Sequence, residues 1–338
     1  MFKVIFVIIG TLIGAGFASG REIYTFFFQY GINGIVGIIV SCSIFSFLIY
    51  KTFYLMKVYE IKDYKKLLEI VNWKYEKINQ IINLIINLFL LISFFIMVAG
   101  FSGYLKQAFN INTYISSLIF VFICYVVFKK NTDGVIKINE LIVPILIFLI
   151  IFLGIKNIPI FTQKICEIQP INTKKMPCLI AGILYASYNS IVLIPILTGI
   201  GKYVEDRNKN LIISVISGII IFVLAIAIYI ILLRGDYFIS QLDMPLLFIL
   251  KEYGLIYKYI YGFIIITAIF TSAISAGFGF LENVAINKKM HDNLILIMCV
   301  GAVLISKIGF ASLVENLYPL FGVLGIIQIY LILKHRII

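Results

Sequence analysis

Charged side chains are scarce, at 13% of the 338 residues, about half the share of an ordinary soluble domain. That scarcity excludes a water-soluble fold, which needs more polar surface to cover a core of this size. No long polar stretch leaves room for a separate soluble domain. Histidine occurs twice, as His291 and His335, and no HExxH, GxSxG or paired acidic motif is present. The sequence therefore offers no catalytic constellation, and an enzyme is not expected. The five cysteines, Cys42, Cys124, Cys166, Cys178 and Cys299, include no CxxC pair. Three lie inside apolar runs and read as small membrane residues, so neither a disulfide framework nor a zinc site is expected.

What is abundant is hydrocarbon. The chain is 62% hydrophobic with a mean hydropathy of +1.07. Apolar runs of about 20 residues recur from end to end, each long enough to span a bilayer. Ten spans are expected, near 3–30, 33–56, 80–105, 113–128, 138–155, 177–200, 210–233, 256–285, 293–308 and 312–333. They should be helices, because a helix satisfies its own backbone hydrogen bonds in lipid. The small residues after the first apolar run loosely resemble a signal-peptide cleavage site. Apolar residues resume at Ile23, however, and the segment is kept as a membrane helix.

The net charge of +12 sits in short loops between apolar runs, so it reads as membrane orientation rather than nucleic-acid binding. With the N-terminus cytoplasmic, the inner segments hold 18 Lys and Arg residues and the outer ones 9, which favours both termini inside. Two loops are more than connectors. Residues 58–78 place Ile61, Tyr64, Leu67, Leu68 and Val71 among lysines, as in a helix lying on the inner membrane surface with Trp73 at the headgroups. Asp243 and Pro245 precede the short apolar stretch Leu246–Leu250, which suggests an outer helix or lid.

The first span carries the main signal. Gly10, Gly14, Gly16 and Gly20 fall within eleven residues and are followed by Arg21 and Glu22. Each glycine costs about 1 kcal/mol relative to Ala in a helix interior, so the helix is expected to break. An unwound turn in lipid must face protein or a water-filled cavity, where free carbonyls can hold a cation and free amides an anionic group. Small-residue helix packing explains the glycines equally well, but not the arginine, which costs about 2.5–3.5 kcal/mol at a helix centre. Span 6 places Tyr185, Ser187, Tyr188, Asn189 and Ser190 mid-span, with Pro195 soon after, and a second break is expected near 186–190. Broken helices opening two halves of five spans point to an inverted repeat: 1–155, an outer connecting loop 156–176, and 177–338.

The pattern Gly10-x-x-Ile13-Gly14-x-Gly16-Phe17 in a first span resembles the amino acid–polyamine–organocation superfamily with the LeuT-like fold. The continuation Phe17-Ala18-Ser19-Gly20-Arg21-Glu22 is more specifically similar to the YkvI-type bacterial membrane proteins. The resemblance implies an all-α integral membrane protein with ten helices and breaks in helices 1 and 6. It implies a sodium site formed by the carbonyls of Gly10, Ile13 and Ala268 with the hydroxyls of Thr271 and Ser272. It also implies an outer gate made by Arg21 and Glu315. A relative without sodium would bring a lysine from helix 5, but Lys137 and Lys156 stand only at the ends of that span. Glu140 within it leaves proton coupling open, and Lys3 and Glu282 could meet at the inner face.

The function expected is secondary transport of a small organic solute, an amino acid or related amine, across the plasma membrane. The solute would bind at Gly14, Ala15, Gly16 and Phe17, its carboxylate on the amides near Ala15 and Gly16, with Tyr185, Ser187, Tyr188 and Asn189 lining the other side. Phe17, Met97, Phe101 and Phe270 would shape an apolar pocket. No cofactor beyond a coupling sodium ion is expected, and the partners are the solute and the bilayer, not nucleic acid. The alternatives are a proton-coupled carrier, a channel (which would need a continuous polar pore) and a non-transporting sensor on the same fold.

Overall fold

The computed structural model describes residues 1–61, 63–72, 76–130, 134–164, 177–201, 204, 207–235, 237–285 and 287–335, without the side chains of 72, 76, 130, 134–142, 164, 207, 237 and 238. Every regular element among these residues is helical. Seven helices are long and apolar enough to cross a membrane: Phe28–Val58, Lys77–Phe109, Cys178–Ile200, Asn208–Leu232, Leu255–Val284, Lys288–Ser306 and Phe310–Lys334. Three shorter apolar helices, Phe2–Leu12, Thr113–Lys129 and Val143–Lys156, stand where spans 1, 4 and 5 were expected.

The first span comes in three pieces. Helix α1 (Phe2–Leu12) stops at Ile13, Gly14 is extended (φ −82°, ψ −177°), and the short turn α2 (Ala15–Ala18) follows. Gly20 then takes a left-handed conformation (φ +80°), open at little cost only to glycine, and α3 (Arg21–Phe26) resumes. A 3₁₀ turn leads into α4 (Gly34–Val58). After α4 come α5 (Tyr64–Asn72), α6 (Glu76–Phe109), α7 (Thr113–Lys130), α8 (Gly134–Lys156), α9 (Ile158–Lys164), α10 (Cys178–Ile200) and α11 (Arg207–Leu232). The chain ends with α12 (Pro245–Leu250), α13 (Leu255–Val284), α14 (Lys288–Ser306) and α15 (Phe310–Lys334).

Helix α10 is central. It lies between α4 and α15, with α1 alongside. Its most apolar window is 61% buried, against 33% for α14 at the periphery, which rests on α6 and α7. Close approach of α15 to α10 depends on glycine: a Cβ at Gly322 would lie 2.7 Å from the Leu184 carbonyl. The outward faces are hydrocarbon. Leu296, Val300 and Leu304 recur every four residues on α14 and are exposed, and a water-soluble monomer does not display such a stripe. The amphipathic α5 forms where the 58–78 loop pattern placed a surface helix, with Leu67 and Leu68 buried. Trp73, Cys166, Lys174, Lys175, Lys202 and Arg336 lie outside the described residues, as do the side chains of Lys137 and Glu140.

One expectation fails. Span 6 is not broken near 186–190, because α10 runs without interruption through that stretch. The polar residues that suggested a break bond back to their own helix. Ser187 donates to the Ile183 carbonyl at 2.7 Å, Asn189 to Tyr185 at 3.0 Å and Ser190 to Ser187 at 2.7 Å. Such back-bonding satisfies a hydroxyl or amide without opening the backbone, and Pro195 is accommodated within the continuous helix.

Candidate functional site

The interruption at Ile13 and Gly14 removes partners from the end of α1. The last helical bond runs from the Ile13 amide to the Ile9 carbonyl at 2.8 Å. Among the described residues, no hydrogen bond reaches the carbonyls of Gly10 or Ile13, as expected at an uncapped helix end. Gly10 and Ile13 line a cavity of about 20 Å³ together with Val143, Leu146, Ala268, Thr271 and Ser272. A volume of about 10–15 Å³ suffices for one water-sized species. The Thr271 hydroxyl commits its proton to the carbonyls of Thr267 (3.0 Å) and Ala268 (3.2 Å), so its lone pairs remain for an acceptor-seeking cation. Helix α8 closes the far side with the hydrocarbon of Val143 and Leu146. The structure thus gathers in one place the five residues Gly10, Ile13, Ala268, Thr271 and Ser272. Among the described residues, no cluster of three His, Cys, Asp or Glu side chains could hold a transition metal.

The second interruption is held by the outer segment. The Leu246 amide, at the start of α12, donates to the Ser19 carbonyl at 3.1 Å, and the Tyr261 hydroxyl donates to the Ala18 carbonyl at 2.6 Å. A Cβ at Gly20 would lie 2.8 Å from Leu246 Cγ. Arg21, 2% exposed, donates to the carbonyls of Ser240 (2.7 Å) and Leu242 (3.2 Å) and to Glu315 Oε2 (3.3 Å), with its guanidinium 5.1 Å from the Tyr24 ring centre. Gln107 fastens the same segment by bonding both the amide and the carbonyl of Met244. Asp243 does not cap α12; its carboxylate accepts from the Ala311 amide at 2.7 Å and so ties the segment to α15. The sequence pairs Arg21 with Glu315 but gives no hint of the two carbonyls, which lie more than two hundred residues away. No ion pair joins Lys3 and Glu282 among the described residues, and both are exposed.

Glu22 points elsewhere. Successive residues on a helix diverge by about 100°, so Glu22 faces α10 while Arg21 faces the lid. Its carboxylate accepts from the Tyr188 hydroxyl at 2.6 Å, and the Tyr185 hydroxyl and Phe17 backbone amide also bond to it. It rests against Gly16, where an added Cβ would lie 2.8 Å from Glu22 Cγ and Cδ. The space expected to receive a solute carboxylate, beside Gly14, Ala15 and Gly16, is therefore shared with the chain's own carboxylate. Around it, Tyr188 stacks on Tyr318 (4.6 Å between ring centres) and on Phe26 (5.5 Å), and meets Tyr185 edge-on (5.5 Å). Ser187 and Asn189 stay engaged with α10 itself. Phe17 and Met97 are buried, whereas Phe101 and Phe270 belong to an aromatic group built on Phe120. The sequence signal for Glu22 was its charge inside a membrane span; Tyr318 had no comparable signal.

Gly16→Ala is expected to push the Glu22 carboxylate off the Tyr188 hydroxyl and to cost about 1–3 kcal/mol, the penalty of an unmade buried hydrogen bond. Gly14→Ala serves as its control, since nothing lies within 4 Å of a Cβ there and its φ of −82° suits alanine. Equal melting temperatures for the two variants in detergent would refute the close approach at Gly16.

No protein-family model matches the sequence. Two Bacillus subtilis proteins are similar to it over nearly its whole length. The uncharacterized membrane protein YkvI is 25% identical over 319 residues, spanning 94% of this chain and 90% of YkvI. The uncharacterized protein YyaD is 24% identical over 340 residues, spanning 99% and 97%. The fold is that of LeuT-like transporters. An inward-facing structure of Mhp1 superimposes with a TM-score of 0.61 at 12% identity, over 96% of this chain and 73% of Mhp1. A sodium-coupled sialic acid symporter in a substrate-bound outward-open state gives 0.59 at 16% identity, over 98% and 77%. A manganese transporter from Eremococcus coleocola gives 0.56 at 14%, over 98% and 77%. These fold neighbours are transporters, not enzymes.

Proposed function

We propose that this membrane protein is a secondary transporter of a small organic solute, an amino acid or related amine, working by alternating access and coupled to sodium. The observation that carries the reading is the interrupted first span, whose Gly10 and Ile13 line a cavity of about 20 Å³ with Ala268, Thr271 and Ser272 of α13. Oxygen ligands of this kind replace the hydration shell of a hard monovalent cation. Val143 and Leu146 offer no amine in its place. The seven long helices and three shorter apolar ones make ten spans, in two halves of five covering 1–155 and 177–338 and joined by 156–176. The plasma membrane is the setting, with both termini cytoplasmic, as the loop charges favour.

In the mechanism, the lid formed by residues 237–250 closes the outer side by resting on Arg21 and Ser19, with Arg21 and Glu315 as the gate. One sodium ion entering down an inside-negative potential gains about 2.3 kcal/mol per 100 mV. That is enough for roughly fifty-fold accumulation of a neutral solute at about 1.4 kcal/mol per decade. The test is uptake into proteoliposomes. A sodium gradient with an inside-negative potential is expected to drive accumulation of an amino acid or amine, and collapsing the gradient to abolish it. Binding of such compounds with no flux under any gradient would defeat the carrier reading in favour of a sensor.

A further inference from the structure

We infer that Glu22 takes the place of a solute carboxylate at the break, so that the solute is a small organic amine without one, its ammonium held by Glu22 at the edge of the Tyr188–Tyr318 stack. This rests on the carrier reading above and narrows it. Three observations lead to it. The first is occupancy: the Glu22 carboxylate lies against Gly16 and the Phe17 amide, where an amino acid's own carboxylate would have to go. A second carboxylate there would meet both a steric obstacle and a like charge. The second is charge. The partners of Glu22, the hydroxyls of Tyr188 and Tyr185 and the Phe17 amide, are all neutral donors. Arg21, next in sequence, is turned away onto Ser240, Leu242 and Glu315. A buried carboxylate held only by neutral groups has no charge partner, and a cation is the species that would supply one. The third is the surroundings. Tyr188 is stacked between Tyr318 and Phe26, with ring centres 4.6 and 5.5 Å apart, and the edge of this stack that carries the Tyr188 hydroxyl meets Glu22. An acid at the edge of an apolar aromatic stack recognises an ammonium by charge pairing, with the rings shielding the pair from water.

A carboxylate offers about four acceptor sites, so Glu22 can take an ammonium N–H while keeping its bond from the Tyr188 hydroxyl. Thr25, one turn along α3 from Glu22, has a buried hydroxyl with no hydrogen-bond partner among the described residues. It lies within the first turn after Glu22 on the same helix side and can accept a further ammonium proton.

The experiment compares matched pairs that differ only in the carboxylate: leucine with isoamylamine, phenylalanine with phenethylamine, and ornithine with putrescine. Binding is read from melting temperature in detergent, and competition from sodium-driven uptake in proteoliposomes. At least one amine is expected to stabilise the wild type and its amino acid partner not to. Glu22→Gln is expected to weaken amine binding about tenfold or more, the loss of a hydrogen bond to a charged group, with the ligand-free melting temperature little changed. The wild-type comparison stands even where the variant fails to fold. Amino acids binding the wild type as well as or better than their amines would overturn the inference and leave the carrier reading intact. Unchanged amine affinity in Glu22→Gln, with loss of pH dependence alone, would make Glu22 a proton site and also overturn it. Neither binding nor flux for any member of either series would defeat the carrier reading itself, and this inference with it.

Discussion

Replacing Arg21 with Ala is expected to destabilise the closed outer face by about 3–5 kcal/mol, the usual cost of removing one partner from a buried charged network. The guanidinium is 2% exposed and serves three acceptors on two distant parts of the chain. Without it, the carbonyls of Ser240 and Leu242 lose a charged donor, and the 239–250 segment loses a tie to the first span. Arg21→Lys is expected to recover little, because an ammonium on a flexible stem does not reproduce a planar fork reaching several acceptors at once. Glu315→Gln is expected to cost far less, about 0–1 kcal/mol, since Glu315 is 34% exposed. Exchanging the two charges is not expected to restore the gate, because a glutamate at 21 would face two carbonyl oxygens. Melting temperatures in detergent and protease cleavage of the 237–250 segment measure these differences. Equal losses in Arg21→Ala and Glu315→Gln would show that the ion pair, not the carbonyls, anchors the lid.

The second large effect concerns the cavity beside α1. The double variant Thr271→Ala, Ser272→Ala is expected to weaken sodium dependence by about tenfold or more per hydroxyl, using the strength of a contact to a charged group. Folding is expected to change little by comparison, since Thr271 bonds only to its own helix and Ser272 is half-buried. Sodium titration of uptake, alongside the melting temperature without sodium, separates the two effects. A double variant with the sodium midpoint of the wild type would remove the ion from this cavity.

The first break was readable in the sequence because its signature has few causes. Four glycines within eleven residues, followed by a charge pair, suit an interrupted helix better than a continuous one, and Gly14 and Gly20 are where the backbone departs. The supposed break in span 6 rested on Ser187, Asn189 and Ser190. Short polar side chains can serve an open turn or their own helix, and only coordinates tell which. The cavity residues were named by the resemblance: helical spacing puts Gly10 and Ile13 on one side but sets the adjacent Thr271 and Ser272 about 100° apart. Their meeting across α1 and α13 came from the resemblance, not from periodicity. The Arg21 contacts with Ser240 and Leu242 and the Tyr318 ring against Tyr188 depend on how distant segments approach, which no local pattern encodes. Glu22 was hidden by its neighbour: the left-handed Gly20 starts a new helix, and the two adjacent charges leave it in different directions.

The bond between the Leu246 amide and the Ser19 carbonyl joins main chain to main chain. Substitution of either side chain leaves it in place, apart from a proline at 246, which has no N–H to give. The tie is therefore insensitive to residue identity at both positions, although Ser19 and Leu246 are buried and their packing is not, and Leu246→Pro is the exchange that removes this bond. That latch is inherited with the path of the backbone, so diverging relatives can keep it with no trace in their residue identities.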